Sequence, residues 1–131
     1  MFSNAAISSL SKHTVAELHM SQLGRLFTVN VCGMAACVKH AARATVEGRV
    51  RGSIACTGSV GGSRGGPIAT DYIMSKHAVL GLMRSASMQL AEHGISVNWV
   101  SPNGLSTPLT CKLGGMNEEE AREDCRNWWE G

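Results

Sequence analysis

Three short apolar runs, each separated from the next by a long helical pattern, constrain this chain more than any other feature. Residues 1–5 read as the end of a strand. Ser53-Ile54-Ala55-Cys56-Thr57 reads as a second, and Ile95 to Val100 alternates as a third. Between the first two lies a helical pattern from about Gln22 to Thr45, stopped by Gly48. Its Leu26, Val29, Gly33, Ala36 and His40 follow three- and four-residue steps and are expected to form one packing face. Between the second and third, Thr70 or Asp71 is expected to cap a helix that runs to about Glu92 and ends at Gly94. Thr14-Val15-Ala16-Glu17 has the form of a capping box, and Asn117-Glu118-Glu119-Glu120 opens a last helix with acids in its first turn.

Strands joined by helices lie parallel, with right-handed crossovers. The expected class is therefore α/β: a partial doubly wound, Rossmann-like parallel sheet of about three strands with flanking helices. Parallel sheets are normally wider and covered on both faces, so three strands read as half of such a fold.

Composition narrows the function classes. The 131 residues, 44% hydrophobic and 17% charged, suit one globular unit. Twelve Lys and Arg against ten Asp and Glu are too balanced to imply nucleic acid or an anionic membrane as partner. No stretch approaches the roughly 18 apolar residues of a membrane span, and no basic segment with an apolar core marks a secretory signal. Five cysteines, an odd number, argue for free thiols in a reducing compartment, so a cytoplasmic location is expected. No metal site is expected: CxxC and HExxH are absent, and Cys32 and Cys37 sit about 140° apart around a helix. The cysteines are read as small buried apolar residues.

The chemistry gathers around the one tyrosine. Tyr72 and Lys76 are four apart and share a helix face. A cation about 6 Å from a phenol, at an effective dielectric of about 20, favours the phenolate by about 3 kcal/mol. Thr57-Gly58-Ser59 stands at the C-terminal end of a strand, where open α/β sheets place ligands. The following glycine-rich loop can bring Ser59 beside Tyr72. Two hydroxyls on one substrate oxygen suit alcohol and ketone chemistry, one orienting the oxygen and the other exchanging its proton.

Ser59, Tyr72-Ile73-Met74-Ser75-Lys76, Asn98, and Pro102-Asn103-Gly104-Leu105-Ser106-Thr107-Pro108 together resemble the short-chain dehydrogenase/reductases. Phe27-Thr28-Val29-Asn30-Val31 and Ser3-Asn4-Ala5-Ala6 resemble two further segments of that family. Asp71 to Leu82 and Ser101 to Leu109 are similar to the plant subgroup that holds secoisolariciresinol dehydrogenase, xanthoxin dehydrogenase and momilactone A synthase.

The resemblance covers about residues 1–116 and implies NAD(P)-dependent oxidation of a hydrophobic secondary alcohol, terpenoid- or lignan-like, to a ketone. NAD is the expected cofactor, with NADP left open. By the same resemblance Tyr72 is the general acid/base, Lys76 lowers its pKa and holds the nicotinamide ribose, Ser59 orients the substrate oxygen, and Asn30 supports a proton relay to Lys76. Asn4 and Ala5 lie near the adenosine side. Pro102, Asn103, Gly104 and Thr107 flank the nicotinamide.

Residues 1–131 are thus expected to be the C-terminal, catalytic part of the family domain, truncated at both ends. Neither GxGxxG nor GxxxxGK[ST] occurs, so the phosphate-binding unit is absent. The alternative is a catalytically silent truncated paralogue or gene fragment acting by association, its two long helices pairing with another copy or a full-length relative. Two local departures carry expectations of their own. Ala6 replaces a family glycine, where strain or crowding of the cofactor is expected. Trp99 stands where a smaller residue is usual, and is expected to overpack if it points inward or to lie exposed.

Overall fold

The computed structural model describes residues 1–8 and 14–130. Its strands are β1 (Phe2–Ser3), β2 (Gly52–Thr57) and β3 (Ile95–Val100). They form one parallel sheet in the order β1-β2-β3, with Ser3 opposite Cys56 and Cys56 opposite Trp99. Its principal helices are α1 (Met20–Phe27), α2 (Met34–Glu47), α3 (Thr70–Leu90), α4 (Pro108–Gly114) and α5 (Glu118–Glu130). A π-helical segment, Thr28–Gly33, joins α1 to α2 without a break, so the expected single helix is one rod with a widened turn inside it.

The alternation in β2 and β3 decides how the sheet is covered. Ile54 and Cys56 on β2, and Ile95, Val97 and Trp99 on β3, point to one face. That face packs against Met34 and Val38 of α2 and Val79, Met83 and Ala86 of α3. The opposite face carries Ser53, Ser96 and Asn98, all exposed.

The helices depart from the reading in their packing face and at two N-termini, while Gly48 ends α2 as expected. Residues on the rod bury in strict steps of four, Leu26, Asn30, Met34 and Val38, while Val29, Gly33, Ala36 and His40 face outward. The π turn rotates the rod's inner face relative to an uninterrupted α-helix. Helix α2 stops at its cap, Gly48, and the next residue, Arg49, is left-handed at φ 51°. Helix α3 is entered through Ala69 at φ 58°, not through a Thr70 or Asp71 cap; Thr70 is its first residue. Thr14 donates its hydroxyl to Glu17, yet the reciprocal cap is not made and only the 3₁₀ turn Val15–Glu17 follows.

Gly94, at φ 67°, closes the α3 end as expected. Asn117 caps α5, its Oδ1 accepting from the Glu119 and Glu120 amides at 3.0 and 2.9 Å. Helix α4 was not expected. Its signal is Thr107 with Pro108 at the first helical position, and Thr107 and Thr110 complete the cap reciprocally.

Of the cysteines only Cys56 is buried; Cys32 and Cys37 are exposed, and Cys111 and Cys125 lie between. Ala6 carries no strain of the expected kind: among the described non-glycine residues only Arg49 and Ala69 have positive φ. Trp99 turns inward and is half-buried against the core. Its indole lies over Gly58 and Gly62, and a Cβ on Gly58 would stand 2.0 Å from its Cζ2.

Candidate active site

The site forms where β2 ends. Ser59 leaves the strand and caps a 3₁₀ turn, Val60–Gly62, its Oγ accepting from the Gly61 amide at 3.1 Å. Two backbone bonds to the chain around the end of β3 fix this turn: Gly58 N–H to the Val100 carbonyl at 2.7 Å and Val60 N–H to the Pro102 carbonyl at 3.1 Å. The first turns of α3 then present Tyr72 and Lys76 to it.

Lys76 is 2% exposed. Its Nζ donates to the Thr57 carbonyl at 3.1 Å and stands 5.5 Å from the Tyr72 ring centroid. An ammonium has three donors, so two remain for hydroxyl groups of a ligand. Burial holds the Lys76 pKa below its ordinary range.

Burial pushes the Tyr72 phenol up, and the hydrogen-bonding influence of the Ser59 side chain opposes that rise. The expected net depression by Lys76 is therefore not what the structure carries. Desolvation of the phenolate outweighs the neighbouring groups. At neutral pH Tyr72 is protonated.

Asn30 sits in the π segment, 2% exposed, and reaches two distant parts of the chain. Its Oδ1 accepts from Ile7 N–H at 2.8 Å, and its Nδ2 donates to the Ile7 carbonyl at 2.9 Å and to Ser75 Oγ at 3.2 Å. Ser75 in turn donates to the Tyr72 carbonyl at 2.7 Å. Asn30 is thus tied to the Tyr72 turn through Ser75, a residue that spacing alone did not single out.

The other expected residues ring this centre. Asn4 and Ala5 follow β1 and are exposed, and Asn4 Oδ1 accepts from Thr57 Oγ1 at 2.6 Å. Thr57 therefore serves both Lys76 and Asn4, a role not read from the sequence. Pro102, Asn103 and Gly104 follow β3 and are half-buried, Gly104 packing against Cys125 of α5. The Thr107 side chain is committed to capping α4.

The set fits the ribose and nicotinamide part of a dinucleotide. A buried ammonium with donors to spare, two hydroxyl groups and three parallel strand ends converge on one edge. Residues 1–128 match the family model described as enoyl-(acyl carrier protein) reductase. The chain belongs to the short-chain dehydrogenase/reductase family.

Its relatives include a (+)-cis,trans-nepetalactol synthase of Nepeta racemosa, 57% identical over 87% of this chain and 44% of that one. The (-)-isopiperitenol/(-)-carveol dehydrogenase of Mentha piperita is 54% identical over 87% of this chain and 43% of its own. Secoisolariciresinol dehydrogenase of Forsythia intermedia is 41% identical over 98% and 46%. The chain thus spans less than half the length of these relatives. Among solved structures, a putative NAD(P)-dependent gluconate 5-dehydrogenase from Beutenbergia cavernae with bound NADP superposes with a TM-score of 0.80 at 26% identity, over 95% of this chain and 48% of that one. Acetoin dehydrogenase from Salmonella typhimurium gives 0.75 at 33% identity, over 82% and 42%. The Rossmann-like class is that of these dehydrogenases. No helix among the described residues is long and apolar enough to cross a membrane.

Proposed function

We propose that residues 1–131 are the catalytic part of a short-chain alcohol dehydrogenase that oxidises a hydrophobic secondary alcohol, terpenoid- or lignan-like, to a ketone with NAD. The observation that carries this reading is the cluster at the end of β2: Ser59 on the turn that leaves the strand, and the Lys76 ammonium 3.1 Å from the Thr57 carbonyl and 5.5 Å from the Tyr72 ring centroid. The names of the Mentha and Forsythia dehydrogenases support the substrate class.

In this reading Ser59 donates a hydrogen bond to the substrate oxygen, and Tyr72 takes that oxygen's proton from its phenolate form, which burial makes the minor form at neutral pH. Lys76 offers its spare donors to the ribose, and Asn30 holds the Tyr72 turn through Ser75. Asn4, Ala5, Pro102, Asn103, Gly104 and Thr107 border the cofactor. The nicotinamide, when bound, takes up the hydride. Free thiols suit a reducing, cytoplasmic setting.

The test is calorimetric titration of the 131-residue chain with NAD(H) and NADP(H), followed by turnover of secondary terpenoid alcohols read by nicotinamide absorbance. Where turnover is found, it is expected to fall at least about 100-fold in Tyr72→Phe. A folded chain that binds neither dinucleotide favours the catalytically silent alternative for these residues, and turnover that survives Tyr72→Phe refutes the proposal.

A further inference from the structure

The turn that carries Ser59 rests on an aromatic floor. A Cβ built on Gly58 would stand 2.0, 2.1 and 2.3 Å from Trp99 Cζ2, Cε2 and Cη2. One built on Gly62 would stand 2.7 and 2.8 Å from Cζ2 and Cη2, and 3.0 Å from the Lys76 carbonyl. No side chain fits at either position while the indole is there. These glycines flank the Ser59 turn, Gly58 preceding the serine and Gly62 ending the 3₁₀ turn. Both are buried. The two backbone bonds from Gly58 and Val60 tie the same turn to the chain around the end of β3, the strand that carries Trp99.

From this packing we infer that Trp99 is a positioning residue: its indole sets the height of the Gly58–Gly62 turn and thereby the approach of Ser59 Oγ to the Tyr72 hydroxyl. The inference rests on the Ser59–Tyr72 pair proposed above. The physical reason is the absence of slack. A turn held by two backbone bonds on one side and a rigid ring beneath both its glycines has one place to sit. Removing the ring opens a void that the turn relaxes into, and Ser59 moves with it. The same argument explains the large residue in a strand position expected to be small. Trp99 and the two glycines are complementary halves of one contact.

Tyr72 is the chain's one tyrosine, so its titration can be read in isolation by NMR of protein isotope-labelled at tyrosine Cζ, with circular dichroism confirming the fold at each pH. Ser59→Ala is expected to raise the Tyr72 midpoint, because a group that favours the phenolate is lost. Trp99→Ala is expected to reproduce at least about half of that rise, and Trp99→Phe a smaller part. In Ser59→Ala/Trp99→Ala the rise is no greater than in Ser59→Ala alone, since Trp99 acts through Ser59. Gly58→Ala is expected to lower the urea midpoint in the parent and to do so less in Trp99→Ala.

An unchanged Tyr72 midpoint in folded Trp99→Ala overturns the inference, as does a double variant whose rise is the sum of the two. If Trp99→Ala does not fold, Trp99→Phe decides: no rise there overturns it equally. A Ser59→Ala protein whose Tyr72 midpoint does not move sinks the proposed pair itself, and the inference with it.

Discussion

Replacing Asn30 by alanine severs three hydrogen bonds at once. The amide accepts from Ile7 N–H at 2.8 Å and donates to the Ile7 carbonyl at 2.9 Å and to Ser75 Oγ at 3.2 Å. A net hydrogen bond is worth about 1 kcal/mol, and a buried partner left unsatisfied costs about 1–3 kcal/mol. Ile7 is only half-buried, so water can take over part of what Asn30 provided. The Ser75 hydroxyl is fully buried but keeps its bond to the Tyr72 carbonyl. These discounts leave a loss of about 2–3 kcal/mol. Urea unfolding followed by circular dichroism measures it, and amide exchange at Ile7 locates it: that amide is expected to lose protection while Val79 keeps its own. Asn30→Asp retains the acceptor for Ile7 N–H but neither donor, so it is expected to be no better. A loss below about 0.5 kcal/mol, or unchanged protection at Ile7, would refute the argument that Asn30 clamps the segment after β1 to α3.

The buried pair predicts opposite pH slopes. The folded pKa of Tyr72 lies above its ordinary 10.0, so its contribution is full below pH 10 and is lost as pH rises through the folded value. Lys76 is held below its ordinary 10.5, so its contribution is present above that value and lost as pH falls through the folded one. Urea midpoints above pH 10 are expected to fall less steeply in Tyr72→Phe than in the parent, and Lys76→Met is expected to flatten the rise on the lower side; parallel profiles for parent and variant contradict this. Met83, 3% exposed in the core, is expected to cost about 3 kcal/mol as Met83→Ala by the same unfolding assay, and a cost below about 1 kcal/mol would mean that the α3 face is not packed as described. Arg49→Gly, which relieves a left-handed residue at φ 51°, is expected to stabilise by up to about 1 kcal/mol, seen as a raised Tm; a lowered Tm would count against strain at that corner.

Much of this architecture was legible in one dimension because its signals are local. Strand β3 runs Ile95–Val100, the bounds its alternation marks, and β2 begins one residue earlier than expected, at Gly52. The order of elements carries parallelism with it, since a helix between strands returns the chain to the same end of the sheet. The Tyr72–Lys76 spacing places both side chains on one helix face, and the end of β2 is a natural position for Ser59. Even the missed α4 was written locally, in the Thr107–Thr110 cap and Pro108, behind a segment that reads as loop by its family likeness.

What the sequence could not contain is which groups meet across long separations. Asn30 and Ile7 are 23 residues apart, and Asn30 and Ser75 are 45 apart. The π turn that rotates the rod to bury Asn30 is a backbone choice that periodicity does not report. The charge pattern favours a Tyr72 phenolate, but burial, a property of the assembled core, reverses the balance. Trp99 is the plainest case. Along the chain it is an oversized residue in a small position; in space it is the complement of two glycines about forty residues earlier, and only close packing in three dimensions makes it fit.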